Sequence, residues 1–98
     1  MKLIFDPRAE KFLDKIRDKE RTKVFEYILL FEEYGFTLEN RYLKKVTKDI
    51  WELRPKNIRL FFVKRVENYI IVHAMYKKSQ KITKKTLKLL EKRIKGYL

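Results

Sequence analysis

Four side chains that could act on a phosphate group fall at the ends of β-rich segments of the sequence. Guanidinium and ammonium groups bind phosphate oxygens, so the set predicts binding of an RNA or DNA phosphate. Like charges on neighbouring strands destabilise a sheet unless an anion lies between them. The four residues are Arg54, Arg59, Tyr76 and Lys78.

The turn between the last two β-rich segments decides whether these side chains meet. Asn tolerates the left-handed turn conformation, so we place Glu67 and Asn68 in a two-residue hairpin turn. This register predicts that Arg59 lies opposite Tyr76, with Lys78 at the same end of the sheet if the strand continues.

The turn around Pro55 leaves two alternatives. A two-residue turn at Lys56-Asn57 places Arg54 opposite Arg59, whereas a three-residue turn places the two arginines on different faces of the sheet. The first alternative completes a cationic row across three strands.

Structural roles compete with these functional interpretations. Arg54 can simply pair with Glu52 or with a carboxylate on a helix, because exposed ion pairs are common. Trp51 is expected in the core because its segment alternates between apolar and charged residues. His73 stands among apolar residues and is also expected in the core. Tyr76 can equally pack on a helix.

Composition limits the classes of protein and site. The chain has 98 residues, which predicts one domain, 1–98, and its 45% of hydrophobic residues suffice for a packed core. It has no cysteine and one histidine, so disulfides, thiol catalysis and Cys- or His-rich metal centres are excluded. No apolar run approaches the ~18 residues of a membrane span. We therefore expect a cytoplasmic protein with no membrane partner.

The charge of the chain predicts a polyanionic partner. The formal net charge is +13. Residues 1–49 hold 12 basic and 10 acidic side chains, whereas residues 50–98 hold 14 basic and 3 acidic ones. The surface that binds the partner is therefore expected in the C-terminal half.

The N-terminal half predicts a strand and two helices. Residues 2–5 are typical of a short strand, and Asp6-Pro7 is typical of an N-cap followed by proline at the first helical position. The polar residues 17–21 are expected to connect this helix to a second one. The second helix has more apolar residues than one face needs, so we expect it to pack against both its neighbour and a sheet, and to end at Gly35.

The C-terminal half predicts three strands and a helix. The apolar period changes to two over residues 50–54, 58–65 and 69–76, which indicates antiparallel hairpins. Residues 83–98 have an apolar face, which predicts a terminal helix. The lysine-rich start of this helix has two interpretations: it is a surface that binds RNA, or it is an ordinary solvated helix end. The order β-α-α-β-β-β-α predicts an α+β fold, with two helices on one face of a small, mainly antiparallel sheet.

Three short motifs carry a resemblance to a known family. They are Trp51-Glu52-Leu53-Arg54-Pro55, Ile58-Arg59-Leu60-Phe61-Phe62 and Tyr76-Lys77-Lys78-Ser79-Gln80-Lys81-Ile82-Thr83. In this order they resemble the RelE/ParE superfamily of bacterial toxins and, more narrowly, its HigB-type, phage-derived branch. The resemblance covers nearly the whole chain and implies the RelE-like fold.

The resemblance also implies a function. RelE-type members are toxins of type II toxin–antitoxin systems, and they inhibit translation by cleaving mRNA in the ribosomal A site. The implied reaction is attack of a ribose 2′-OH on the adjacent phosphate, with no metal and no cofactor. The implied partners are mRNA, ribosomal RNA and a cognate antitoxin with an acidic segment or a DNA-binding helix-turn-helix domain.

Site roles follow from the same resemblance. Arg54 and Arg59 match strand arginines that bind the scissile phosphate, and Arg59 is expected to stabilise the charge of the transition state. Lys77 and Lys78 match a basic pair, one of which contacts the phosphate or donates a proton. Further RNA contacts are expected from Gln80, Lys81, Lys84 and Lys85.

The general base stays open at the level of the sequence. The best-known RelE members carry a strand lysine where this chain has Glu52, and they carry a tyrosine after the basic pair that is missing from residues 79–86. The remaining candidates are Glu52, Tyr76 and a lysine whose pKa is lowered by neighbouring cations.

Two other functions compete with mRNA cleavage. One is a ParE-like inhibitor of DNA gyrase without nuclease activity, and the other is a degenerate member that only binds RNA or a protein partner. The retained Arg54, Arg59 and Lys77-Lys78 favour cleavage, because a gyrase inhibitor needs no side chains directed at a phosphate.

Overall fold

A five-stranded sheet forms the centre of the protein. The computed structural model describes residues 2–78 and 81–97. The strand order is β1-β5-β4-β3-β2, with β1 parallel to β5 and the other neighbours antiparallel, so the predicted α+β fold with a mainly antiparallel sheet is confirmed. The strands are β1 (Leu3–Phe5), β2 (Leu43–Lys45), β3 (Trp51–Leu53), β4 (Ile58–Arg65) and β5 (Asn68–Tyr76).

Three helices flank this sheet. α1 (Pro7–Glu10) begins as predicted, because the Asp6 carboxylate accepts a hydrogen bond from the Arg8 amide at 2.8 Å. A 3₁₀ turn, Lys11–Asp14, continues it. α2 spans Asp18–Tyr34 and ends at Gly35, as predicted, and α3 spans Lys84–Ile94. No helix among residues 2–78 and 81–97 is long and apolar enough to cross a membrane.

The sheet is covered on both faces. α1 and α2 pack with one face around Phe31 and Phe62, whereas α3 packs on the other face around Phe61 and Leu90. All six residues from Ile58 to Val63 are therefore buried, which includes the guanidinium-bearing Arg59. Burial on both faces explains why this strand is almost continuously apolar.

The sequence analysis missed one strand and misplaced two helix boundaries. The start of α2 is one of them, and the other is the end of α3, which stops at Ile94 although residues 83–98 were expected to form the terminal helix. β2 has three residues and two of them are lysines, so it has no apolar period to detect. The polar residues predicted as a connection form the first turn of α2 instead. Asp18 and Glu20 lie favourably at the positive end of the helix dipole, and Glu20 accepts a hydrogen bond from the Arg17 amide at 3.1 Å.

α2 also buries less of its apolar surface than expected. Val24, Ile28 and Phe31 are buried, but the side chains of Phe25 and Leu29 stay 44% and 64% exposed. The expectation that the surplus apolar residues pack against both a helix and the sheet is therefore only partly correct.

The predicted register of the β4–β5 hairpin is wrong. Arg65 pairs with Asn68, so the turn residues are Val66 and Glu67. Val66 adopts the left-handed conformation, with φ of 55°, although a β-branched residue rarely does so. Asn68, the residue with the stronger turn preference, lies inside β5.

A β-bulge shifts the register again nearer the other end of the hairpin. Phe61 pairs with His73 and Phe62 pairs with Ile71, so Val72 is the extra residue on β5. The two shifts place Arg59 opposite Met75, not opposite Tyr76.

The β3–β4 connection follows the first of the two predicted alternatives. Leu53 pairs with Leu60, and the Ile58 amide donates to the Pro55 carbonyl at 2.9 Å, which leaves Lys56 and Asn57 as the turn residues. Lys56 takes the left-handed conformation, with φ of 56°. Arg54 and Arg59 therefore belong to the same end and the same face of the sheet.

Candidate active site

A small cleft lies on the α3 face of the sheet, between the ends of β3, β4 and β5 and the start of α3. It gathers a carboxylate and a guanidinium from the strands and several lysines from the segment after β5. We call it the cleft, and its lining residues are Glu52, Arg59, Phe61, Met75, Lys77, Lys78, Lys81, Ile82, Thr83 and Thr86.

Arg59 is held rigidly at the floor of the cleft. Only 8% of the residue is exposed, and its Nη1 donates to the carbonyl oxygens of Lys56 and Ile58, each at 2.8 Å. Burial lowers the pKa of Arg59, and the positive charge of Arg54 lowers it further. A guanidinium still stays protonated at neutral pH, so the cleft contains a fixed, partly desolvated cation.

Glu52 brings a buried carboxylate to the same cleft. It is 6% exposed in the middle of β3, and Lys44 of β2 lies directly opposite it. Burial raises the pKa of Glu52, whereas the charges of Arg54, Arg59 and Lys44 act in the opposite direction. A carboxyl with a raised pKa is a better proton acceptor than an ordinary surface glutamate.

Arg54 is engaged by its neighbours. Its Nε lies 3.2 Å from Glu52 Oε1, and its Nη1 donates to the Asn40 carbonyl at 3.0 Å. The pairing of Arg54 with Glu52 weighed in the sequence analysis is thus present. The Nε atom is buried and has no hydrogen-bond partner in the described part of the chain, so the contact with Glu52 is an ion pair without hydrogen-bond geometry.

The lysines of the candidate site lie at different places along the rim. Lys77 and Lys78 are exposed residues of the cleft, and the Lys77 amide donates to the Asn57 carbonyl at 2.6 Å. Lys81 also lines the cleft. Lys84 and Lys85 are exposed in the first turn of α3, outside the lining. Gln80 lies outside the described residues.

Tyr76 does not join the other candidates. Its hydroxyl donates to Glu20 Oε1 at 2.7 Å, and its ring packs edge-on against Phe12 with centroids 5.2 Å apart. It therefore lies on the face of α1 and α2, because the hairpin register differs from the predicted one. The hydrogen bond to Glu20 also raises the pKa of Tyr76, so the phenol stays protonated at neutral pH.

His73 is also separate from the cleft lining. Its ring stacks on Phe61 with an interplanar angle of 15°, and Nδ1 lies 3.3 Å from Arg93 Nη1. Burial, helped by the charges of Arg93 and Lys78, lowers the pKa of His73 to about 4. The imidazole is therefore neutral at physiological pH and packs between the sheet and α3, as the sequence analysis expected.

Several residues in or beside the cleft were not predicted from the sequence. Lys44, which lies opposite Glu52 but outside the cleft lining, was missed because β2 was missed. Thr83 caps α3 by accepting a hydrogen bond from the Thr86 amide at 3.2 Å, and a threonine before an apolar helical pattern was the signal available for it. Met75 lines the cleft because the observed register of the β4–β5 hairpin, which differs from the predicted one, places it opposite Arg59.

The cleft can carry out acid–base and phosphate chemistry. It joins a desolvated carboxylate, a fixed guanidinium and the lysines of the rim within one small space. Such a set can accept a proton, stabilise a phosphate whose charge increases, and donate a proton to a leaving oxygen. Among the described residues, no group of three or more His, Cys, Asp or Glu side chains could hold a metal ion.

Three solved structures have a similar fold. A chain of the archaeal RelE-RelB complex from Pyrococcus horikoshii OT3 matches with a TM-score of 0.63 and 13% identity, covering 76% of this chain and 92% of that one. A chain of the YoeB-YefM toxin-antitoxin complex from Staphylococcus aureus matches with a TM-score of 0.61 and 16% sequence identity, and the match covers 80% of this chain and 98% of that one. A mutant of E. coli toxin RelE in the free state matches with a TM-score of 0.61 and 19% sequence identity, and the match covers 99% of this chain and 97% of that one.

These structural matches establish the RelE-like fold. No curated protein sequence matches the chain significantly. The family model described as "Phage derived protein Gp49-like (DUF891)" matches residues 11–95. This match covers most of the sequence, and the chain therefore belongs to the phage-derived Gp49-like family.

Proposed function

We propose that this protein is the toxin of a type II toxin–antitoxin system and that it cleaves mRNA in the ribosomal A site. The observation that carries the proposal is the cleft, where Arg59, Glu52 and the Lys77-Lys78 pair converge at one end of the sheet. The similar structures RelE and YoeB are toxins by their descriptions, and the Trp51–Pro55 motif favours the HigB-type branch.

In the proposed mechanism, Glu52 accepts the proton of the ribose 2′-OH. Its burial raises the pKa of the carboxyl, while the arginines beside it keep the carboxylate available. Tyr76 is a poor alternative because it lies on the other face of the sheet. A lysine remains the competing base, and no metal or cofactor takes part.

The cations have separate proposed roles. Arg59 stabilises the extra negative charge of the pentacoordinate phosphate, because its guanidinium is positioned before the substrate arrives. Arg54 holds Glu52 and adds positive potential at the same phosphate. Lys78 donates the proton to the leaving 5′-oxygen, and Lys77 and Lys81, with Lys84, Lys85 and Gln80, bind flanking mRNA or ribosomal RNA.

The proposed partner besides RNA is an antitoxin protein in the cytoplasm. Two of the similar structures are complexes of a toxin with its antitoxin. The net charge of +13 favours an acidic antitoxin segment that covers the cleft.

Inducible expression in bacterial cells tests the nuclease proposal. Growth and mRNA 5′ ends are followed for wild type, Arg59→Ala and Arg59→Lys. We expect wild type to arrest growth with cuts inside translated codons, Arg59→Ala to lose both effects, and Arg59→Lys to recover only part of the cleavage because lysine lacks the planar fork. Growth arrest with intact transcripts and DNA damage would instead support gyrase inhibition.

A further inference from the structure

A second basic surface lies on the opposite side of the Lys56–Asn57 turn from the cleft. It is a groove between the start of α2 and the β3–β4 turn. We call it the helix groove, and its lining residues are Arg17, Lys19, Glu20, Lys23, Pro55, Lys56, Asn57 and Ile58.

The helix groove has more positive charge than its local acids balance. It presents four cations and one carboxylate, and the side chain of Arg17 is 85% exposed. Arg17 Nε lies 3.6 Å from Glu20, and Lys23 pairs at 3.0 Å with Glu26, which is outside the lining. Among the described residues this leaves Lys19 and Lys56 without an ion pair, and they carry the surplus charge. The carboxylate, Glu20, already accepts hydrogen bonds from the Tyr76 hydroxyl at 2.7 Å and the Arg17 amide at 3.1 Å. Lys19 lies in the first turn of α2, where the helix dipole disfavours a cation.

The turn connects the helix groove to the cleft. The Lys56 carbonyl accepts the hydrogen bond of Arg59 at 2.8 Å, and the Asn57 carbonyl accepts that of the Lys77 amide at 2.6 Å. The same two turn residues line the helix groove. Cationic surface therefore continues around the end of the sheet, from Lys77 in the cleft to α2 on the opposite face.

We propose that the helix groove binds the sugar–phosphate backbone of single-stranded RNA, so that one strand passes from the cleft around the turn to α2. This inference rests on the proposed function for its choice of RNA. A phosphate backbone needs only cations along its path. A folding protein segment would need apolar pockets to anchor it, and the apolar lining residues Pro55 and Ile58 are themselves buried.

A neutralised variant tests the helix groove. Lys19→Gln, Lys23→Gln and Lys56→Gln are combined, which removes three charges and keeps a side chain at the left-handed position 56. The matched control combines Lys64→Gln, Lys92→Gln and Lys95→Gln, which removes three exposed charges at the other end of the sheet and of α3. Thermal unfolding of both variants checks that they fold.

The probes are fluorescent 2′-O-methyl oligouridylates of about 4 and about 12 nucleotides, which lack the attacking hydroxyl and cannot be cleaved. In wild type and in the control, the longer RNA should bind more tightly than the shorter one. In the groove variant we expect the affinity for the longer RNA to fall roughly tenfold. The logarithm of the association constant should also depend less steeply on the logarithm of the salt concentration, with a slope smaller in magnitude by about 2, because each lost phosphate contact removes about 0.7.

Equal affinities and salt slopes for the groove variant and the control would overturn the inference. A groove variant that keeps RNA affinity but loses affinity for poly-L-glutamate would also overturn it, in favour of an acidic protein segment. Because the RNA cannot be cleaved, either result is independent of the nuclease test on Arg59. Cells that show no cleavage would refute the proposed function without altering the binding result.

Discussion

Glu52 is the residue whose chemistry depends most on its surroundings. It lies in a three-residue strand between a lysine on β2 and the buried β4, and its ion pair with Arg54 lacks hydrogen-bond geometry. Desolvation raises the pKa of Glu52, and the positive charges of Arg54, Arg59 and Lys44 offset this only in part. Burial makes the carboxylate of Glu52 more basic, whereas the neighbouring cations favour its charged form, so Glu52 can both accept a proton and release it again.

The pH dependence of cleavage tests the role of Glu52. Because a general base must be deprotonated, and burial raises the pKa of Glu52, the cleavage rate should rise with pH through a pKa above the usual range for glutamate. Glu52→Gln should lower the rate roughly 10²- to 10⁴-fold and remove this rise. The measurement is single-turnover cleavage of mRNA on purified ribosomes across the pH range.

The same measurement distinguishes Glu52 from the competing base. If Glu52→Gln keeps the pH dependence of wild type, a lysine of the cleft accepts the proton and Glu52 only positions Arg54. Tyr76→Phe is the matched control, because Tyr76 lies on the other face and should leave the pH profile unchanged.

At the level of single residues, residue type and strand position predicted part of the site. Arg59, Lys77 and Lys78 could be predicted because basic residues at the ends of strands converge when the strands pair. Tyr76 could not be placed, because its face depends on the turn at Val66 and the bulge at Val72. Neither feature has a local sequence signal, since Val66 adopts a conformation that its own side chain disfavours.

Among the elements, Asp6 joins the start of α1 to the C-terminal end of the chain. Its carboxylate pairs with Arg8 at 2.9 Å, and the Tyr97 hydroxyl, beyond the end of α3, donates to the same carboxylate. The hydrogen bond from the Arg8 side chain is the main cause that holds the pKa of Asp6 well below its usual range. The ionised carboxylate therefore stabilises the folded state.

The sign of the pH effect on stability follows from this lowered pKa. The stabilisation is fully present above the pKa of an unfolded aspartate, about 4, and is lost as pH falls towards the folded pKa. Asp6→Asn keeps an N-cap side chain but removes the charge. Wild type should therefore lose more stability than Asp6→Asn between neutral and acid pH, measured by urea unfolding. Parallel losses in the two proteins would contradict the assignment.

The end of α2 depends on a conformation that favours glycine. Gly35 has φ of 58° and ψ of −137°, and its amide donates to the Phe31 carbonyl. Gly35→Ala should cost about 1 to 3 kcal/mol in free energy of unfolding, because an L side chain is strained there. Gly96→Ala is the matched control, since a Cβ at this position meets the Arg93 carbonyl at an ordinary 3.6 Å. Equal losses in the two variants would contradict the conformational argument.

Elements with strong local signals were predictable. The N-cap of α1, the stop of α2 and the three β-rich segments that became β3, β4 and β5 each had a residue-level cause. β2 and the start of α2 were not predictable, because a short lysine-rich edge strand and a polar first helical turn look like loops in the sequence.

At the scale of the whole molecule, positive charge is concentrated where the proposed function needs it. The chain carries 26 basic and 13 acidic residues, and its C-terminal half holds 3 of the acidic ones. Net charge of this size repels itself in the compact state. The excess therefore lowers stability in the absence of a polyanion and favours binding when one is present.

Salt and RNA should consequently stabilise the folded protein in different ways. Added NaCl screens the repulsion, so the melting temperature should rise by several degrees, since 1 kcal/mol corresponds to about 4–8 °C for a chain of this size. The 2′-O-methyl oligouridylate should raise the melting temperature further at low salt and lose this effect at high salt, because binding releases counterions.

The variant with Lys64→Gln, Lys92→Gln and Lys95→Gln is the control for the salt effect. Its melting temperature should rise less with NaCl than that of wild type, because it has less charge to screen. A melting temperature that falls with NaCl would mean that ion pairs such as Arg8–Asp6 and Arg54–Glu52 contribute more to stability than the net repulsion removes.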